Sequence, residues 1–100
     1  MDIQLKKGFL ELMVLAALKY EDSYGYKIIQ DISSVIEISE STLYPILRRL
    51  EQQKYVKTYN TTYNSRLRKY YQITKLGREK LEESKADFYE IKALYDFILR

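Results

Sequence analysis

The 100-residue sequence contains no cysteine and no histidine. Without cysteine there is no disulfide and no thiolate metal site. Without histidine there is no Ser-His-Asp triad, no histidine acid–base pair and no zinc enzyme of the usual kind. The carboxylates do not cluster for acid–base work either: Glu21-Asp22 and Glu82-Glu83 read as solvated turn and helix positions. An enzyme is therefore not expected, nor a metal or a cofactor. One proline and three glycines exclude collagen-like repeats and disordered linkers. The longest apolar run, residues 12–18, is far short of the roughly 20 residues that cross a bilayer. Met1-Asp2 leads into mixed polar sequence rather than a signal-like segment, so the expected setting is cytoplasmic, with no membrane partner.

Acid is also missing over one long stretch. Residues 52–78 contain no Asp or Glu. The wider segment 48–78 holds nine basic residues and one acid, Glu51, for a net charge of +8. The rest of the chain holds eight basic and thirteen acidic residues, a net −5. The overall +3 thus conceals a strongly basic third, and such segregation points to a polyanionic partner.

With 46% hydrophobic residues the chain can bury one core. The pattern predicts a first helix over residues 2–20, apolar nearly all round in its second half. A polar turn follows, in which Asp22 or Ser23 is expected to cap a second helix over residues 24–35. Tyr26, Ile29, Ile32 and Ile36 are expected on its buried face. Ser39 or Ser41 is expected to cap a third helix that ends near residue 53. In it Leu43, Ile46, Leu47 and Leu50 form an apolar stripe opposite Ser41, Thr42, Tyr44, Arg48, Arg49 and Gln52. Pro45 fits only if it lies in the first turn or just past it. The period then changes to two. Residues 55–59 and 67–73 read as the strands of a β-hairpin around a loop over residues 60–65, with Asn60 and Asn64 best suited to positive φ. Tyr71 and Ile73 share one face of the second strand; Arg66, Arg68, Tyr70 and Gln72 share the other. Thr74 is expected to cap a last helix of about 26 residues, roughly 39 Å long.

Three helices followed by a hairpin make a winged helix-turn-helix, a mainly α fold with a small β-hairpin. Its third helix and wing coincide with the +8 segment. Helices of this size fit the DNA major groove, and a basic hairpin alongside suits the backbone or the minor groove. The expected division is a DNA-binding unit over residues 1–73 and a dimerisation helix over 74–100. Two alternatives stay open on composition: a winged module that binds RNA, its tyrosines stacking on bases, or one that binds protein.

The residues themselves resemble the PadR family of bacterial transcriptional regulators. The resemblance rests on Gly8-Phe9-Leu10-Glu11-Leu12, Tyr24-Gly25-Tyr26-Lys27-Ile28-Ile29, Ser41-Thr42-Leu43-Tyr44-Pro45-Ile46-Leu47-Arg48-Arg49-Leu50-Glu51, and Arg68-Lys69-Tyr70-Tyr71-Gln72-Ile73-Thr74 with Gly77. The single helix after the wing is similar to the smaller members of that family. The resemblance implies a dimeric repressor of an inverted-repeat operator in double-stranded DNA. Carried over by position, Ser41, Thr42, Tyr44, Arg48 and Arg49 become recognition-helix contacts. Arg66, Arg68 and Lys69 become wing contacts, and Tyr24 and Lys27 phosphate contacts. The wing departs from the family pattern: Asn64-Ser65 stands where glycines are usual, and Leu67 interrupts the basic run.

In the last helix Leu81, Phe88 and Tyr95 recur every seven residues, as do Ser84, Ile91 and Ile98. They form a 3.5-residue seam. A helix longer than its own domain needs a surface to cover that seam, and a second copy is the simplest supplier. Leu12, Leu81, Phe88, Ile91, Tyr95 and Ile98 are the expected dimer contacts. By family resemblance, a small flat aromatic effector would sit at the same interface, near Leu5, Leu12, Ser84, Phe88 and Tyr95.

Overall fold

A computed structural model describes residues 1–100. The elements run α1 (Ile3–Ala17), α2 (Gly25–Ser33), α3 (Glu40–Gln52), β1 (Val56–Tyr63), β2 (Arg66–Ile73) and α4 (Lys75–Ile98). This is the mainly α winged helix-turn-helix with a long final helix. Leu10, Val14 and Leu15 of α1, Ile28 and Ile32 of α2, and Leu43, Ile46, Leu47 and Leu50 of α3 meet Val56, Tyr71 and Ile73 of the hairpin in one core. Each fully buried aliphatic side chain there contributes about 1.5–3 kcal/mol.

The helices are shorter than their apolar patterns. Asp2 caps α1, its carboxylate accepting from the amides of Gln4 and Leu5 at 2.9 and 3.2 Å. α1 stops at Ala17, and the loop after it is held from outside by Arg78, which donates to the Lys19 carbonyl at 2.9 Å. On α2 the buried residues are Gly25, Ile28 and Ile32. Tyr26, expected inward, is 61% exposed: the buried stripe begins one residue earlier, because Gly25 makes the close approach. A Cβ at Gly25 would lie 2.5 Å from the Tyr44 hydroxyl oxygen, so the absence of a side chain lets the Tyr44 ring lie over the start of α2. Neither Asp22 nor Ser23 caps α2; Tyr24 holds the N-cap position without a side-chain bond. Asp22 is instead the acceptor for the Tyr59 hydroxyl at 2.6 Å. The amide of Ser23 donates to the Tyr71 carbonyl at 3.1 Å, and the amide of Tyr71 donates back at 2.7 Å. That isolated bridge places β2 between Ser23 and β1.

Ser39 is the N-cap residue of α3, although its hydroxyl bonds to the hydroxyls of Ser41 and Thr42 rather than to the backbone. Pro45 falls in the second turn, and its missing N–H leaves one intrahelical bond unmade. The helix ends in a Schellman turn: Tyr55 N–H donates to the Leu50 carbonyl at 2.9 Å and Lys54 N–H to that of Glu51 at 3.0 Å. The left-handed residue of that turn is Lys54, at φ 64°, where glycine is favoured. Lys54→Gly is expected to stabilise the fold by about 1 kcal/mol, seen as a rise of roughly 4–8 °C in the thermal midpoint. A lower midpoint would show that the lysine side chain supports this turn.

The hairpin is longer and tighter than its composition suggests. β1 and β2 pair in unbroken antiparallel register from Val56–Ile73 to Tyr63–Arg66. Asn60, expected in a loop, sits opposite Lys69 within the ladder. The turn is Asn64-Ser65 alone, at φ 49° and 63°, the consecutive positive φ values of a two-residue type I′ connection. The sequence hides this because the outer half of the hairpin is exposed on both faces, so no apolar alternation marks it.

Thr74 caps α4 as expected, its hydroxyl accepting from Gly77 N–H at 3.1 Å. The same hydroxyl reaches the carbonyl oxygens of Lys54 and Tyr55 at 2.7 and 3.0 Å. The first turns of α4 pack on β2 and α1, with Gly77 and Ser84 buried and Leu81 against the core. Its 24 residues extend about 36 Å, beyond the body of the domain, and the molecule measures 56 × 27 × 21 Å. No helix is long and apolar enough to cross a membrane.

Candidate nucleic-acid interface

Six of the nine cations of the basic segment lie on two neighbouring elements, Arg48 and Arg49 on α3 and Lys57, Arg66, Arg68 and Lys69 on the hairpin; Lys54 is in the turn between them, and Lys75 and Arg78 begin α4. On α3 the apolar stripe faces the core and Ser41, Thr42, Tyr44, Arg48, Arg49 and Gln52 are exposed. Tyr44 is only partly free, because its ring covers Gly25. On the hairpin, the register puts Lys57, Tyr59, Thr61 and Tyr63 on the same face as Arg66, Arg68, Tyr70 and Gln72. Leu67, Lys69, Tyr71 and Ile73 lie on the other.

The ten residues expected to touch DNA divide according to what holds them. Lys27 donates to Glu21 at 2.6 Å and lies 3.5 Å from Asp31. Its hydrogen bond to Glu21 raises the ammonium pKa and lowers that of the Glu21 carboxyl. Arg49 forms an ion pair with Glu11 of α1, so it leans back along the domain instead of outward. Lys69 lies 3.9 Å from Glu51, on the side of the hairpin that meets α3. Arg48 and Arg66 are exposed with no carboxylate in ion-pair range, and Arg68 is half-buried with none. Tyr24 is half-buried at the start of α2, its ring beneath Arg68.

Two tyrosine hydroxyls of the hairpin, Tyr71 in the core and Tyr59 on the outer face, have raised pKa values. Burial pushes the Tyr71 phenol up, helped by the charge of Glu51 and countered by that of Arg48. The hydrogen bond to Asp22 pushes Tyr59 up. Of the partners found here, only Asp31, four residues after Lys27 on one helix face, was visible as a spacing. Glu11, Glu21, Asp22 and Glu51 reach their partners through the tertiary fold.

The expected seam divides as well. Leu81 and Ser84 are covered by the domain itself. Phe88 stacks on Phe9 at 5.8 Å between centroids. Ile91, Tyr95 and Ile98 are exposed. Leu5, Leu12, Ser84 and Phe88 line one cleft of about 240 Å³ between α1 and α4, with Phe9 and Ile91; Tyr95 lies outside it. Gly8 forms part of the cleft wall, and a Cβ there would meet nothing within 4 Å.

Residues 14–83 match the model of the transcriptional regulator PadR-like family. An uncharacterised protein of Lysinibacillus sphaericus is 34% identical over 98 residues, covering 93% of this chain and 90% of that one. Among solved structures, a transcriptional regulator from Clostridium thermocellum aligns with a TM-score of 0.88 and 27% identity, over 100% of this chain and 99% of its own. A PadR-like transcriptional regulator from Bacillus cereus aligns with a TM-score of 0.85 and 30% identity, over 97% of each chain.

Proposed function

This chain belongs to the PadR-like family of transcriptional regulators, and from that membership we propose that it acts as a dimeric repressor of an inverted-repeat operator. As a member it is a DNA-binding regulator and not an enzyme. In the proposed division of labour, residues 1–73 read DNA and residues 74–100 pair the subunits. The observation that carries the reading is the set of cations without acidic partners. Arg48 on α3 and Arg66 and Arg68 on the adjoining wing are spared the ion pairs that engage Lys27, Arg49 and Lys69. Arg48 would donate to base edges or phosphates of the major groove, and the wing arginines to the backbone or the minor groove. Ser41, Thr42 and Tyr44 line the same exposed side of α3 and would fix its register. Arg49, Lys69 and Lys27 would contribute from the flanks, Arg49 by exchanging Glu11 for a phosphate, and Tyr24 would act through Arg68, which lies over its ring.

A two-fold dimer sets its recognition helices about 34 Å apart, one turn of DNA, which is why the operator is expected to be an inverted repeat. A dimer of this size represses most simply by occluding a promoter. The cleft between α1 and α4 is apolar and faces the second copy in this arrangement. It would admit a small planar aromatic effector against Phe88 and Phe9, altering the spacing of the two reading heads.

The test is binding to a duplex recovered by selection from a random-sequence pool. Affinity is expected to fall steeply as salt rises, since several phosphates are neutralised. Arg48→Ala should weaken the selected duplex by about 1–3 kcal/mol and leave a scrambled duplex nearly unaffected. Equal loss on both would reassign Arg48 to phosphate positioning, and a flat salt response would remove the basis of the interface.

A further inference from the structure

The outer face of the wing carries a connected aromatic row. Tyr59 stands opposite Tyr70 and Thr61 opposite Arg68. The Ser23–Tyr71 bridge lays the start of α2 along the free edge of β2, and strand alternation then brings Tyr24 to this same face. The central carbon of the Arg68 guanidinium lies 4.0 Å from the Tyr24 ring centroid and 4.2 Å from that of Tyr63. Tyr24 meets Tyr70 edge-on at 5.5 Å, and Tyr70 stacks on Tyr59 at 5.6 Å. The Tyr59 hydroxyl closes the row on Asp22.

A guanidinium held against rings uses its flat faces and leaves its N–H edge unspent. No carboxylate lies in ion-pair range of Arg68. It differs in this from Lys27, Arg49 and Lys69, whose donors are engaged by acids, and from Arg48 and Arg66, whose guanidinium groups do not lie over a ring as that of Arg68 does. We propose that Tyr24 and Tyr63 are positioning residues for Arg68, holding its guanidinium ready for the DNA backbone and tying the wing to the start of α2. The inference rests on the DNA-binding reading and deepens it. An unrestrained arginine loses side-chain freedom when it meets a phosphate, whereas one already clasped loses less. The clasp also spans the helix-turn-helix and the wing, so the two contact DNA as one rigid surface.

The experiment measures fluorescence anisotropy of the selected duplex over a range of salt, with thermal midpoints as the check on folding. Tyr63→Leu is expected to weaken binding about fivefold at an unchanged salt slope, while Tyr63→Phe binds as the parent does. Arg68→Lys keeps the charge but lacks the planar fork. It should show a similar loss, and adding Tyr63→Leu to it should cost nothing more. Tyr24→Leu should weaken binding and Tyr24→Phe should not. The positioning role is overturned if Tyr63→Leu binds normally, if the losses at Tyr63 and Arg68 multiply, or if Tyr24→Phe loses as much as Tyr24→Leu. The last outcome would make the Tyr24 hydroxyl a direct phosphate contact. If Tyr24→Leu fails to fold, Tyr63, exposed near the wing tip, decides the question alone. If the parent protein selects no duplex and binds none in a salt-dependent way, the DNA-binding reading itself fails, and the inference with it.

Discussion

Ile91→Glu is expected to convert the protein to monomers in sedimentation velocity and to weaken operator binding by about a hundredfold or more. Ile91 is exposed at the edge of the cleft between α1 and α4, where α4 leaves its own domain, and Leu94, Tyr95, Ile98 and Leu99 beyond it are exposed as well. Apolar side chains repeated along a helix end need a covering surface. In the proposed dimer that surface is α1 and α4 of the second copy. A carboxylate placed there would lose its water without gaining a partner, which is among the most costly changes an interface can suffer. The monomer itself should fold, because Ile91 is outside the core cluster and glutamate is a good helix former. The loss in affinity follows from separating two linked half-site readers, whose joint binding exceeds that of either by about 10²–10⁴-fold. A variant that remains a stable dimer would place the interface elsewhere, and Ile98→Glu provides an independent check on the same seam.

Gly77→Ala is expected to destabilise the fold by about 2–4 kcal/mol, lowering the thermal midpoint by more than 10 °C. A Cβ at Gly77 would run into the Tyr55 carbonyl oxygen and lie 2.8 Å from Ile73 Cγ1. The carbonyl belongs to backbone that cannot swing aside. Tyr55 is fixed by its own amide in the Schellman turn, and its carbonyl accepts from the amide and hydroxyl of Thr74. The first turn of α4, the end of α3 and the end of β2 therefore meet at one point, and the added methyl would separate them. Gly8→Ala is the contrasting substitution. Nothing surrounds that position, and removing a helical glycine gains up to about 1 kcal/mol in an isolated chain. A Gly77→Ala protein with an unchanged midpoint would mean that α4 can shift outward freely, and the packing described here would not hold.

Much of this architecture was legible from local pattern. The four-residue stripe of α3, the Thr74 cap and the change of period after residue 54 mark the elements because helical and strand periodicities repeat over a few residues. The family blocks could be read for the same reason. The errors fall where a distant residue outweighs the local signal. Tyr26 looked like a core residue until Gly25 met Tyr44. Asp22 looked like a cap and is the acceptor for Tyr59, 37 residues away. Asn60 looked like a turn residue, but the ladder continues through it to a tighter turn at Asn64-Ser65.

The candidate site shows the same division. The sequence by itself determined which stretch is basic, that most of its cations lie on the third helix and the wing, and that no histidine or cysteine chemistry is present. Only the tertiary structure decided which of those cations are engaged. Arg48 and Arg49 are neighbours of identical type, yet Arg49 meets Glu11 from 38 residues away and Arg48 meets no acid. Arg68 and Lys69 are also adjacent, and strand alternation sends one to the tyrosine row and the other towards Glu51. The physical reason is one of range. Charge and hydrophobic period are set by residues close in the chain, whereas the partner of a long cationic side chain is set by whichever distant element the core brings within a few ångströms.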